Sequence, residues 1–233
     1  MRILPLLFLA ISPALSKLVV DYQAARGDDP SVMGYLNLEA KRGERVLEHR
    51  PDLYIKKGKD PKGVACAHFH RKKGNIRAEY HALNKVTKKN KTYTIRYEFS
   101  LGQVQQSLMV WQMKEYLTNN PTDGGANVPL ALKISKDKLQ LQYQPAWGVP
   151  REVLWETTAK TNTKYRADIV MRTGSPGWVQ FSWNGKAQKL GKSQKIKYPA
   201  ITFPGRSDPK FGAYGGAEID IDTYVYRAQI DEK

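Results

Sequence analysis

The chain has few cysteines and histidines, the residues that form disulfides in small exported proteins or bind zinc. Cys66 is the only cysteine in 233 residues, so an internal disulfide is excluded and a large core must hold the fold. The stretch around Cys66 is apolar, which predicts a buried, unreactive thiol. There are only 4 histidines, and no zinc-protease helix motif is present.

Long hydrophobic runs are also scarce. The one apolar run, residues 3–11, follows Arg2 and is followed by the small residues Ala14 and Ser16. It is too short to cross a membrane comfortably, and this pattern predicts a secretory signal peptide over residues 1–16. We therefore expect a secreted, extracellular protein without a membrane partner, in which residues 17–233 form a single domain and a monomer is the default.

Acidic residues are few relative to basic ones. The chain has 38 Lys+Arg against 22 Asp+Glu, a net charge of +16. A field of this sign attracts polyanions, namely nucleic acids, anionic membranes and acidic polysaccharides. Because export makes nucleic acid an unexpected partner, the charge favours an acidic polysaccharide.

Helical patterns are confined to short turns near residues 22–26 and 31–42, whereas strand patterns dominate the rest. Alternating or buried strands are predicted at residues 93–99, 107–113, 138–143, 178–183 and 218–226. Asn184-Gly185 follows one of them and is typical of a two-residue hairpin turn. Many strands separated by turns predict an all-β fold, a β-jelly-roll sandwich of two antiparallel sheets.

Three segments far apart in the chain carry polar side chains at alternate positions, which share a face on a strand. They are Arg77-Ala78-Glu79 with His81 two residues further on, Gln112-Met113-Lys114, and Lys210-Phe211-Gly212-Ala213-Tyr214. In order and spacing, the three segments resemble the active-site strands of jelly-roll polysaccharide lyases. In alginate lyases of family 7, Arg-x-Glu, Gln-x-His and Lys-x-Gly-x-Tyr strands line one concave groove.

The resemblance extends over most of the chain after residue 16 and is closer to the fungal glucuronan lyases of polysaccharide lyase family 20. It implies a concanavalin A-like catalytic domain that cleaves a polyuronate by β-elimination, with glucuronan as first substrate and alginate as second. Elimination requires removal of the C5 proton beside a uronate carboxyl, and groups that neutralise this carboxylate make the proton more acidic. The resemblance implies catalytic roles for Arg77, Gln112 and Tyr214, with Lys114, His81 and Lys210 binding substrate.

One position departs from the family pattern, because Lys114 stands where the Gln-x-His motif has its histidine. His70, a short loop before Arg77, is the first candidate for a histidine base, and His81 is the reserve. Tyr214 is the alternative base and otherwise the acid that protonates the leaving oxygen.

The chain is expected to need no cofactor, although two metal sites are considered. His68 and His70 share a strand face and are of a type that binds metals, but no third ligand lies at a telling spacing. A structural calcium ion is the other case, with Asp222 as its candidate ligand.

Two rival functions remain open. Glu218, Asp220 and Asp222 alternate in the manner of the Glu-x-Asp-x-Glu strand of jelly-roll β-glucanases, retaining hydrolases that need two carboxylates. A non-catalytic, lectin-like module that binds acidic glycans is the third hypothesis. Lyase, hydrolase and lectin differ in whether an unsaturated uronate, a new reducing end or neither appears.

Overall fold

The computed structural model describes residues 16–84, 86–115, 126–202 and 207–233. Seventeen strands and two 3-10 turns, Ala24–Arg26 and Pro30–Met33, make up the regular structure of these residues. The expected signal peptide lies, except for Ser16, outside the described residues. Among those that are described, no helix has the length and apolar character needed to cross a membrane.

The strands form two antiparallel sheets. The nine-stranded sheet has the order β14-β13-β12-β7-β17-β5-β4, with β1 beside β17 and β15 beside β13. Its strands are β1 (Lys17–Gln23), β4 (Leu53–Lys59), β5 (Ala65–Arg71), β7 (Thr92–Leu101), β12 (Tyr165–Arg172), β13 (Trp178–Trp183), β14 (Lys186–Ala187), β15 (Tyr198–Pro199) and β17 (Ile221–Glu232).

The eight-stranded sheet has the order β11-β10-β9-β8-β16-β6-β2-β3. Its strands are β2 (Tyr35–Glu39), β3 (Arg45–Val46), β6 (Arg77–His81), β8 (Met109–Glu115), β9 (Leu130–Ser135), β10 (Lys138–Tyr143), β11 (Glu152–Thr158) and β16 (Ser207–Tyr214). The expected sandwich of two antiparallel sheets is confirmed.

Alternation along the strands places the core between the sheets. In β7, Tyr93, Ile95, Tyr97 and Phe99 are buried, while the residues between them are partly exposed. Trp111 of β8 is fully buried, as its parity opposite to Gln112 predicts. Each sheet therefore has one face on a common core and one face that carries polar side chains.

The strictly alternating segments were the most predictable. Strands β10 and β13 coincide with the predicted residues 138–143 and 178–183, and the prediction for residues 93–99 lies within β7. Residues 184 and 185 have the positive φ angles, 48° and 80°, of the predicted hairpin turn.

Three boundaries differ from the predictions. The short helical turn predicted within residues 31–42 is confined to Pro30–Met33, and the segment continues as β2, because Leu36 and Leu38 alternate with polar residues and pair with β6. The last strand begins at Ile221 rather than at residue 218, since residues 217–219 form a turn and a bend before it. Strand β8 begins at Met109, because Ser107 adopts a φ of 70°.

The chain changes sheets between β5 and β6, and a buried arginine holds this corner. The Arg71 guanidinium donates to the carbonyl oxygen of Asn75 (2.5 Å), in the corner, and to those of Gly215 and Gly216, which follow β16. Burial lowers the pKa of Arg71 to about 10. Residues 70 and 77 are thus close in sequence but lie in different sheets.

Candidate active site on the eight-stranded sheet

Three neighbouring central strands, β6, β8 and β16, carry the groove residues that the sequence predicted. Lys210 of β16 lies opposite Gln112 of β8 on one side and His81 of β6 on the other. Four residues after Lys210 on the same strand, Tyr214 lies opposite Arg77. The polar faces of the three motif segments therefore meet on one sheet face, which we call the groove face.

A buried carboxylate organises this face. Glu79 is fully buried, accepts a hydrogen bond from Gln112 Nε2 at 2.6 Å, and lies 3.3 Å from Arg77 Nε. Arg77 also pairs with Glu39 at 3.2 Å and donates to the Asn37 side chain at 3.3 Å. Glu79 thus positions both the Gln112 amide and the Arg77 guanidinium. Glu39 and Asn37 of β2 position the guanidinium further.

Two guanidinium groups flank Tyr214. Arg42 donates a hydrogen bond to the Tyr214 hydroxyl at 3.1 Å, and the Arg77 guanidinium carbon lies 4.6 Å from the centre of its ring. Positive charge therefore stands beside the phenol oxygen, where negative charge would develop during proton transfer.

Gly212 allows β16 to pass close to β6. Its φ is 137°, and an added Cβ would lie 2.3 Å from the Ala78 carbonyl oxygen and 2.7 Å from Phe69 Cδ1. The pairing of β16 with β8 also shifts register between Phe211 and Tyr214. Only glycine fits here, and the irregularity separates the two functional side chains of the third motif.

Two lysines of the groove face have strongly lowered pKa values. Burial lowers the pKa of Lys210 to about 8; the charge of Glu79 opposes this shift and the charge of Arg77 adds to it. The pKa of Lys114 is also lowered to about 8, by burial and then by the charge of Lys210. The groove face thus brings several basic side chains close together.

A cavity of about 450 Å³ opens at one end of the groove face. Its lining includes Arg77, His81 and Lys210 together with Tyr35, Asn37 and Arg45. His81 Nε2 lies 2.9 Å from the buried Asp208 carboxylate. This pair orients the imidazole toward a space lined by three cationic side chains.

The structure does not bring His70 to the groove face. His70 lies in β5 of the other sheet, and its neighbour Phe69 points into the core, so the imidazole faces the opposite outer surface. The expectation that His70 shares the groove with Tyr214 is therefore wrong. The short loop that follows β5 crosses between the sheets, which proximity in sequence does not reveal.

The carboxylates of the hydrolase hypothesis diverge as well. Glu218 and Asp220 precede β17 and are exposed, Glu218 bonded to Gln105 and Asp220 to the Lys73 backbone. Asp222 contacts the histidines of β5 instead. The three do not share one strand, because the strand starts after the first two.

Several residues of the groove carry no recognisable signal in the three motif segments. They are Arg42, Asn37 and Glu39 at or near β2, and Asp208 at the start of β16. Alternation in residues 35–39 was the available signal for β2. The partner of each side chain depends on long-range pairing, which the local pattern does not contain.

Comparison with known proteins supports the fold and leaves the family open. No protein-family model matches the chain, and no curated protein matches it. Alginate lyase AlgAT5 of polysaccharide lyase family 7 superposes with a TM-score of 0.60 at 12% identity, covering 88% of this chain and 99% of that one. The alginate lyase from Corynebacterium sp. gives 0.56 at 11% identity, covering 92% and 100%.

A third similar structure is of a different kind of protein. It is the conserved carbohydrate esterase vb_24B_21 of the Shiga toxin-encoding bacteriophage phi24B, with a TM-score of 0.59, 14% identity and coverage of 93% and 98%. At such identities the likeness establishes the shared jelly-roll architecture. One fold hosts unrelated functions, so the side chains of the site determine what a given chain does.

Proposed function

We propose that this protein is a polysaccharide lyase that cleaves an acidic polyuronate by β-elimination. The observation that carries the proposal is the convergence of Arg77, Gln112, Lys210 and Tyr214 on one face of three adjacent strands. The likeness to solved structures of alginate lyases supports it, since such a fold accommodates this chemistry.

The first task of the site is to neutralise the uronate carboxylate, because a charged carboxylate makes the C5 proton a very weak acid. Gln112 uses one amide hydrogen on Glu79, so the second can be donated to the sugar. Arg77, which pairs with Glu79, and Lys210, which lies opposite Gln112, add positive charge near this amide. Donors fixed before the substrate binds stabilise the enolate-like transition state most effectively.

The second task is proton transfer. A base takes the C5 proton, a double bond forms between C4 and C5, the C4–oxygen bond breaks, and an acid protonates the leaving oxygen. Tyr214 is the proposed proton-transfer residue, since its hydroxyl lies beside Arg42 and Arg77. His81, oriented by Asp208, is the proposed partner for the other transfer.

The substrate is proposed to be glucuronan first and alginate second, bound by a secreted, monomeric enzyme. A net charge of +16 and a groove face rich in lysine and arginine favour a polyanion. In this scheme the chain's own side chains supply the charge stabilisation and the proton transfer, so no cofactor takes part.

The test is to incubate the protein with polyglucuronate, alginate and a neutral glucan while following the ultraviolet absorbance of the conjugated double bond. Absorbance should grow with a polyuronate only. The Tyr214→Phe variant should be slower by about 10²–10⁴-fold, the usual contribution of a proton-transfer residue. Tyr226→Phe, which alters a hydroxyl bonded to Asp60 in the nine-stranded sheet, is the matched control and should remain active.

The other functions give different results in the same experiment. New reducing ends without absorbance would indicate a hydrolase, and binding of acidic glycans without either change would indicate a lectin-like module. Cleavage of the neutral glucan alone would overturn the lyase proposal.

A further inference from the structure

A second cluster of functional side chains lies on the opposite surface of the sandwich, on the outer face of the nine-stranded sheet. His68 Nε2 and His70 Nδ1 each lie 2.7 Å from the same oxygen, Asp222 Oδ1. All of the candidate donor atoms lie within 4.8 Å of one another. This cluster takes no part in the proposed elimination.

Strand register explains the convergence. His68 and His70 alternate with the core residue Phe69 on β5, so both imidazoles point outward. Asp222 lies directly opposite His70 on the neighbouring strand β17. The third ligand, which the sequence spacing does not reveal, is thus supplied 152 residues after His70 by strand pairing.

We propose that His68 Nε2, His70 Nδ1 and Asp222 Oδ1 bind a divalent first-row transition metal, with Zn²⁺ as the first candidate. Two imidazoles and one carboxylate are a donor set that Zn²⁺ and its neighbours prefer. Calcium, which the sequence suggested for Asp222, takes six to eight oxygen ligands. The adjacent imidazole nitrogens do not suit it.

The distances fit a small metal ion. Zinc bonds of about 2.0–2.1 Å in tetrahedral geometry place neighbouring donor atoms about 3.3 Å apart. Asp222 Oδ1 now lies 2.7 Å from each imidazole nitrogen, so the carboxylate needs to retreat by about half an ångström, which a side chain can accommodate. Three protein ligands leave a fourth position for water.

Groups around the cluster already orient the ligands. Gln103 Nε2 donates to Asp222 Oδ2 at 3.1 Å, and Gln103 Oε1 accepts from the Asp222 backbone N–H at 2.6 Å. The Tyr54 hydroxyl lies 3.4 Å from His68 Nδ1, the ring nitrogen that faces away from the site. Contacts of this kind fix the tautomer and direction of metal ligands.

The surroundings partly shield the cluster while leaving it accessible. Tyr54 stacks on His70 and Tyr224 on His68, each with ring centres 4.9 Å apart. A Cβ at Gly102 would lie 2.9 Å from Asp222 Cβ, so glycine is needed beside the carboxylate. Lys56 lies opposite His68, and its ammonium, 4.9 Å from the Tyr54 ring centre, would weaken metal affinity somewhat.

A metal at this position would cross-link β5 to β17 in a chain that cannot form an internal disulfide. Binding to the folded state alone raises the unfolding temperature as metal concentration increases. The expected effect is therefore on stability, independent of the groove face on the other sheet.

The experiment uses the untagged full chain, stripped of metal with EDTA and titrated with Zn²⁺ by calorimetry and by NMR of the histidine rings. One Zn²⁺ per chain should bind, and the unfolding temperature should rise. Of the four ring systems, those of His68 and His70 should shift, while those of His49 and His81 stay unchanged. A parallel titration with Ca²⁺ should give no heat and no shift.

Variants locate the site further. Asp222→Asn and His70→Gln should each weaken Zn²⁺ binding at least tenfold, whereas His49→Gln, which lies outside the cluster, should leave it unchanged. If a cluster variant does not fold, the ring signals of the wild type decide the matter. The proposal would be overturned if no Zn²⁺ binds or if the ring shifts are confined to His49 or His81. Displacement of Zn²⁺ by Ca²⁺ would also overturn it.

Discussion

The polar faces of the two sheets differ in how deeply their charged side chains are buried. On the groove face, the side chains of Glu79 and Asp208 are fully buried and Lys210 is only 2% exposed. On the outer face of the nine-stranded sheet, ion pairs such as Arg166–Asp168 leave the basic side chain partly exposed; the Arg166 side chain is 45% exposed. Taking charges out of water costs free energy that their attraction often fails to return, whereas half-exposed pairs cost and contribute little.

In a sandwich with two polar faces, the face that buries its charges is the better candidate for function. A fold gains no stability from concentrating lysine, arginine and glutamate in a dry sheet centre, so their presence indicates a task other than stability.

The largest effect is expected from Gly212→Ala in the strand that carries Lys210 and Tyr214. The new Cβ would meet the Ala78 carbonyl at 2.3 Å with a φ of 137°, and we expect a loss of about 4 kcal/mol in unfolding free energy. Gly43→Ala, at a φ of 84° with nothing within 4 Å, should cost only about 1 kcal/mol. Urea denaturation measures both, and similar losses would contradict the argument.

The next effect is expected from Glu79→Gln, which removes the buried charge but keeps the side-chain volume. Arg77 then loses one of its two carboxylate partners, and breaking a buried pair should cost about 3 kcal/mol in urea denaturation. A loss under about 1 kcal/mol would mean that the groove charges are screened like those of the outer face.

The third prediction concerns pH. As pH rises through about 8, Lys210 and Lys114 lose protons in the folded protein, so polyuronate binding should weaken about tenfold between pH 7 and 9. In the unfolded chain lysines stay protonated to about pH 10.4, so the unfolded state then binds more protons. The contribution of these lysines to folding stability should therefore increase over the same pH range.

Lys114→Met isolates one of the two titrations. Its binding should be weaker at pH 7 and less dependent on pH than that of the wild type, as measured by KM for polyglucuronate. If KM varies with pH as steeply in the variant as in the wild type, the charge of Lys114 does not act on the bound polyanion.

The smallest effect is expected from Asp168→Asn on the outer face. Arg166 is half exposed and gains little from its partner, so the unfolding free energy should change by less than about 1 kcal/mol. A larger loss in urea denaturation would remove the contrast with Glu79→Gln.

The sequence predicted those parts of the fold that depend on local alternation. Residues 138–143 and 178–183 alternate without interruption and were predicted to the residue, since one buried face fixes their pattern. The three motif segments also predicted which polar residues would meet, because each lies on a strand of known parity. Convergence required only that the three strands be neighbours.

The predictions were wrong or incomplete where the position of a side chain depends on which strand pairs with its own. His70 lies seven residues before Arg77, but the corner held by Arg71 sends the chain to the other sheet. Likewise, the bond from Arg42 to Tyr214 joins residues 172 positions apart. Such contacts follow from sheet order, which the amino-acid pattern of one segment does not determine.

Cys66, buried as its apolar neighbours predicted, makes the folded chain nearly inert toward alkylating reagents. Burial raises the pKa of its thiol to about 12, so only about one molecule in 10⁵ carries a thiolate at pH 7. Labelling of this single sulfur therefore requires the chain around β5 to open. Its rate provides a reporter of local unfolding that needs no engineered probe.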